Sequence, residues 1–184
     1  MNNQPKQGSG FTLTELIISI AIAGMLVSVA IPNFTDLIIS SRLTTYANEL
    51  MTALNLARSE AIKRGVQVTV RRKGGVSQVW EEGWDVFVDS DGDYAFSDNG
   101  DATLCETGED CLLRTYSALP SGYTLRTGAS TYQDYTGYLP NGLSVVAVND
   151  TFRLCNGTDN TTSRAIIVNS IGRARVSTGT VSCP

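Results

Sequence analysis

The sequence predicts an α+β fold in which one long N-terminal helix packs on an antiparallel β-sheet head. Three observations lead there. An uncharged, mostly apolar run extends from Leu16 to Thr35, apolar residues then recur at helical spacing as far as Ala61, and from Val66 the pattern changes to short alternating segments separated by Gly, Asn and Pro. At 184 residues, 42% hydrophobic and 17% charged, the chain suits one compact domain plus one further element and not a disordered protein.

Residues 1–10, MNNQPKQGSG, are polar and hold one charge, Lys6. The uncharged run that follows Glu15 is 20 residues long. At about 1.5 Å per residue it spans the roughly 30 Å hydrocarbon core of a bilayer, so a membrane-inserted helix is expected. No small-x-small cleavage site follows the run, which argues against a secretory signal peptide; Gly8, Ser9 and Gly10 precede it instead. A cut after Gly10 would leave the apolar helix on the mature protein. Glu15 then lies five positions into that helix, where a carboxylate costs up to about 2.5–3.5 kcal/mol in a membrane and therefore needs a partner. The freed amine of Phe11 on a neighbouring copy is such a partner.

The segment Gly10-Phe11-Thr12-Leu13-Thr14-Glu15-Leu16, with the apolar run and Pro32 behind it, resembles the class III leader of type IV pilins and pseudopilins. The resemblance implies cleavage between Gly10 and Phe11 by a prepilin peptidase, N-methylation of Phe11, and a role for Glu15 in assembling a helical filament. It divides the chain into a leader (1–10), a transmembrane or filament-core half-helix (11–36) and a periplasmic or extracellular head (37–184).

Pro32 is expected to kink the helix or unwind it locally. Beyond it, Leu43, Tyr46, Ala47, Leu50, Met51, Leu54, Ala57 and Ala61 mark one apolar face, and Arg42, Asn48, Glu49, Arg58, Ser59 and Lys63 the other. Lys63-Arg64-Gly65 is a C-terminal stop, so the helix is expected from about residue 12 to 64. Strands are expected at 66–70, 76–80 and 84–88 as a meander, then at 112–116, 123–126, 143–148, 152–154, 165–169 and 173–176.

Charge is unevenly placed. Residues 1–80 carry 8 basic and 4 acidic side chains, residues 81–111 carry 0 and 11, and residues 112–184 carry 6 and 3. The net charge of −4 therefore hides two mildly basic regions behind one acidic block. Asp89, Asp91 and Asp93 invite a calcium reading, but an EF-hand template would need Gly where Tyr94 stands and Glu where Gly100 stands. A solvated acidic turn is the better account, and no metal or cofactor is expected. With no histidine in the chain, Ser-His-Asp and Cys-His machinery is excluded, no SxxK motif replaces it, and no enzyme is expected.

Cys105, Cys111, Cys155 and Cys183 form no CxxC pair. In an exported head an even count suggests disulfides, and of three connectivities Cys105–Cys111 and Cys155–Cys183 are favoured, the first closing the acidic loop and the second tying down the C-terminus.

Gly83-Trp84-Asp85-Val86-Phe87-Val88-Asp89, Leu113-Arg114, Phe152-Arg153-Leu154-Cys155 and Ile171-Gly172-Arg173-Ala174-Arg175 resemble the GspH/FimT group of minor pseudopilins. On a strand Arg173 and Arg175 face the same way about 6.6–6.8 Å apart, which lets two guanidiniums engage neighbouring phosphates, and Gly172 allows a close backbone approach. Two hydrated arginines on a solvent-facing strand are the alternative. The resemblance favours the first, since a C-terminal GRxR is the DNA-contact motif of FimT-like pilins. Arg164 is a candidate extension of that surface, and Arg71-Arg72-Lys73 a separate basic turn. The implied protein is a minor pilin that moves from the inner membrane to the pilus, with other major and minor pilins and DNA as partners during natural transformation. A GspH-like pseudopilin of type II secretion, or a structural minor pilin that primes assembly without a ligand, remain the alternatives.

Overall fold

Residues Leu13–Arg64 form one helix, α1, in a computed structural model that describes residues 10–100, 105, 108–128, 132–157, 159–179 and 181–183, excepting the side chains at 29, 30, 32, 33 and 159–161. The leader residues 1–9 and Asp101 of the acidic block lie outside the described residues. Thr12 caps the helix: its hydroxyl accepts from the Glu15 backbone N–H at 3.3 Å and lies 3.4 Å from the Glu15 carboxylate, the Thr-x-x-Glu spacing of a capping box. At the other end Gly65 adopts φ +70° and donates to the Ala61 carbonyl at 3.0 Å, while Lys63 and Arg64 both pair with Glu60. The Arg64 guanidinium, donating to Glu60 at 2.6 Å, holds that carboxyl below its ordinary range.

The unwinding expected at Pro32 does not occur, because helical backbone continues through position 32 and a proline there removes one donor rather than the whole ladder. Two compact units meet between Ile38 and Ile39. In the first, the described apolar side chains, among them Leu16, Ile20, Leu26 and Phe34, are exposed. Among the described residues no helix is long and apolar enough to cross a membrane. In the second, Leu43, Ala47, Leu50, Ala53, Leu54, Ala57 and Ala61 are buried at helical spacing.

Among the described residues the head holds two four-stranded antiparallel sheets. Sheet A has the order β3 (Cys111–Tyr116), β2 (Trp84–Val88), β1 (Val68–Arg72), β5 (Tyr135–Tyr138). Sheet B has the order β4 (Tyr123–Thr127), β6 (Asp150–Asn156), β7 (Asp159–Val168), β8 (Ala174–Thr178). Their core includes Trp80, Trp84, Tyr132, Tyr138 and Phe152, with Trp80 edge-on to Phe152 at 4.9 Å and Tyr132 stacked on it at 5.6 Å. Burial pushes the Tyr132 and Tyr138 phenols up from their ordinary ionisation range.

Two expected strands are absent. Residues 76–80 form a loop with one bridge, Val79 to Arg126, because Trp80 is docked there by its own contacts, Nε1 donating to the Tyr132 carbonyl at 3.0 Å. Residues 143–148 likewise keep only a bridge from Ser144 to Tyr138. The strand not expected, β5, contains Gly137, where a Cβ would come within 2.6 Å of the Val68 carbonyl oxygen. Disulfides join Cys105 to Cys111 and Cys155 to Cys183, with Cα separations of 4.3 and 6.0 Å.

Candidate functional site

The turn between β7 and β8 positions the Gly172-Arg173-Ala174-Arg175 segment. Asn169 builds it three ways: its carbonyl accepts from Gly172 N at 2.8 Å, its side-chain oxygen from Arg173 N at 2.7 Å, and its own N–H donates to the Arg173 carbonyl at 3.1 Å. Gly172 has φ +78° and is buried, and a Cβ there would lie 2.8 Å from both the Gly142 carbonyl oxygen and the Tyr138 ring. The glycine is needed for conformation and packing together. Two further bonds tether the turn, from Asn149 Oδ1 accepting Ser170 N at 3.0 Å and from Arg58 Nη2 donating to the Ile171 carbonyl at 3.4 Å. Arg173 and Arg175 themselves are exposed, and neither guanidinium has a hydrogen-bond or ion-pair partner among the described residues.

Register divides sheet B into two faces. Ile166 pairs with Val176 and Phe152, and Val168 with Ala174; this face is the buried one. Ile167 pairs with Arg175 and Thr151, and Ala165 with Arg153 and Ser177, on the outer face. Arg164 pairs with Thr178 and Leu154, which puts it on the opposite face from Arg175. Its guanidinium grips α1, donating to Ser40 Oγ at 2.8 Å and Thr44 Oγ1 at 3.4 Å. The expected extension of the surface through Arg164 is therefore corrected: strand alternation turns this side chain inward.

Arg71 and Arg72 end β1 on sheet A, Lys73 follows it, and all three are engaged. Arg71 donates to the Tyr94 carbonyl. Arg72 lies 2.6 Å from Asp134 and also donates to the Gly74 carbonyl at 2.8 Å. Lys73 lies 3.2 Å from Asp85 and also bonds Thr115. Structure does not bring these three together with Arg173 and Arg175, and their charges are answered within the head.

Most of the acidic block, from Asp89 to Asp110, hangs from the same sheet between β2 and β3. Asp89 and Asp110 are buried, and their oxygens are already satisfied by donors. Asp89 accepts from Gln67 Nε2 at 2.8 Å, Thr69 Oγ1 at 2.7 Å and the Gly92 and Tyr94 N–H groups at 2.7 and 3.1 Å. Asp110 accepts from Ser90 N and Ser97 N, each at 2.9 Å. Oxygens of Asp89, Asp91 and Asp110 lie within 4.8 Å of one another, yet this wealth of N–H and O–H donors marks a pair of loop-organising carboxylates rather than a cation cage. Most of the block lies against sheet A, although Glu81 reaches β4 of sheet B and holds Arg126 there; none of the described carboxylates pairs with Arg153 or Arg175.

At the other end of the chain, Gly10 precedes the helix, Phe11 is 82% exposed, and among the described residues the Glu15 carboxylate meets the Thr12 hydroxyl of its own first turn.

The family described as "Type II transport protein GspH" matches residues 46–172, and the "Prokaryotic N-terminal methylation motif" matches residues 6–31. A fimbrial protein of Pseudomonas aeruginosa is 38% identical over 63 residues, which is 34% of this chain and 40% of that relative's length. The match thus spans under half of the curated relatives. Two crystal structures of the Pseudomonas aeruginosa type IV minor pilin FimU superpose with TM-scores of 0.57 and 0.59 at 20% identity, covering 73% and 74% of this chain and 92% and 89% of theirs. At that identity the likeness is one of fold.

Proposed function

Since this chain belongs to the GspH family of type II transport proteins and carries the N-terminal methylation motif, we propose that it is a minor pilin of a type IV pilus that contacts the phosphate backbone of DNA during natural transformation. At the coarser level it is a GspH/FimT-type minor pilin or pseudopilin, and such proteins are structural rather than enzymatic. In the proposed course a prepilin peptidase cuts between Gly10 and Phe11, Phe11 is N-methylated, the apolar half-helix anchors the protein singly in the inner membrane with its head in the periplasm, and the subunit then joins other major and minor pilins in the pilus.

One observation carries the DNA reading: Arg173 and Arg175 are exposed, unpartnered and fixed by a turn that only glycine at 172 permits. Two free guanidiniums at this spacing give weak, sequence-independent binding that falls by about 0.9 in log affinity per phosphate per log unit of salt. Full-length protein in a neutral detergent, titrated with a labelled DNA duplex across a salt series, tests it. Salt-sensitive binding that the Arg173→Ala/Arg175→Ala variant loses is the expected result, and equal binding by wild type and variant overturns it. In that event the GspH-like reading, which the matched family's own description favours, takes its place.

Glu15 is proposed to act in filament assembly through the Phe11 amine of a neighbour. Because it also closes the Thr12 cap, two variants separate the roles: Glu15→Gln keeps a capping side chain and Glu15→Ala removes it. Incorporation into filaments should fall in both, and normal incorporation of Glu15→Gln would leave the carboxylate with capping alone.

A further inference from the structure

We infer that Arg153 is a third phosphate contact, and that the outer face of sheet B receives duplex DNA by its backbone rather than the bases of a single strand. The inference rests on the DNA-contact reading of Arg173 and Arg175.

Register places the residue. Arg175 lies opposite Ile167, Ile167 opposite Thr151, and Arg153 stands two positions from Thr151 on the same face. Two strand spacings of about 4.8 Å and one two-residue step of about 6.8 Å put the Arg153 and Arg175 Cα atoms about 12 Å apart. That separation is within the reach of two extended arginine side chains, so both can engage the phosphates of one duplex. Arg153 is half-buried and has no hydrogen-bond or ion-pair partner among the described residues, whereas Arg126 directly across from it on β4 is held by Glu81. Glu81 is taken up by Arg126, and a guanidinium left without a described carboxylate attracts an anion from outside the chain.

The rest of the face defines what that anion is. Single-strand binders lay bases on aromatic rings. Here the described outer-face side chains are aliphatic, hydroxylic or cationic, with Thr151, Ile167 and Ser177 between the arginines and no aromatic ring among them. Only charge remains to attract nucleic acid, and charge density is highest on the duplex, at about one per 1.7 Å of axis. The C-terminal tail sets the boundary. Ser163 Oγ donates to the Gly179 carbonyl at 2.9 Å and accepts from Val181 N at 2.8 Å, and the Cys155–Cys183 bridge fastens the tail beyond, so Cys155, Ser163 and Ala165 are buried and the Arg153–Arg175 end stays open.

The test uses full-length protein in neutral detergent with a labelled duplex and its isolated single strand, each over a salt series. Arg153→Gln should lower the salt slope of duplex binding by about 0.9, as Arg175→Gln does, and Arg153→Lys should restore it. Thr151→Glu, which adds a carboxylate beside Arg153 and leaves the arginine in place, should weaken duplex binding even if Arg153→Gln folds poorly. An unchanged slope in Arg153→Gln and unchanged affinity in Thr151→Glu, with Arg175→Gln still impaired, overturns the role of Arg153 and leaves the DNA reading intact. Tighter binding of the single strand overturns the duplex preference. No binding of wild type to either probe removes the underlying reading as well.

Discussion

On sheet A, Arg72 sits 10% exposed against Asp134 and Lys73 reaches Asp85, while on the outer face of sheet B Arg153 and Arg175 meet no carboxylate among the described residues. The two sheets share a strand count and an antiparallel order, and both carry arginine on or beside their strands. They differ in where the acidic block folds. Its segment between β2 and β3 lies against sheet A, where Asp85 and Asp134 answer Lys73 and Arg72, whereas on sheet B the described ion pairs include Glu81 with Arg126 but none with Arg153 or Arg175. A cation becomes available for a ligand when the chain does not bring it a partner, and partners are set by long-range packing rather than by neighbours in sequence.

Three substitutions would break or sharpen that contrast. Removing the Cys155–Cys183 bridge with paired Ala substitutions frees the tail from sheet B, and the head should lose about 2–4 kcal/mol in urea unfolding. A loss near zero would mean that Ser163 alone holds the tail. Arg72→Ala leaves Asp134 and the Gly74 carbonyl without their donor, so about 1–3 kcal/mol of stability should go while DNA binding is unchanged. The double change Arg173→Ala/Arg175→Ala should do the reverse, keeping stability within about 0.5 kcal/mol while DNA binding is lost. A stability loss as large as that of Arg72→Ala would show that these arginines also hold the fold.

The features legible in the sequence were those written in local pattern. The helix stop at Gly65 follows from cations and a positive-φ residue in one turn, and its buried face from apolar spacing. Trp80 misled because a buried tryptophan in alternating company suggests a strand, although it is the indole's dock against Tyr132 that buries it. β5 escaped notice because Gly137 weakens a strand pattern, and the reason for that glycine is the Val68 carbonyl on another strand. At the site, the Gly172-Arg173 turn was readable from residue type. Arg153 was visible as part of a family motif but not as a neighbour of Arg175, since the adjacency depends on β6–β7–β8 register. The inward turn of Arg164 has the same origin.

The Arg164 grip has a mechanical consequence. A subunit held in a fibre by the first part of its helix receives any pull through the covalent backbone of α1, and Ser40 is the second residue of the head unit. Arg164 bonds Ser40 and Thr44 there from the middle of sheet B, with Nη1 also donating to the Ser163 carbonyl at 3.0 Å. Tension arriving along the helix is therefore shared with β7 before it reaches the apolar contacts of Leu43 and Leu50, and peeling the helix from the head must first break this one guanidinium's hold.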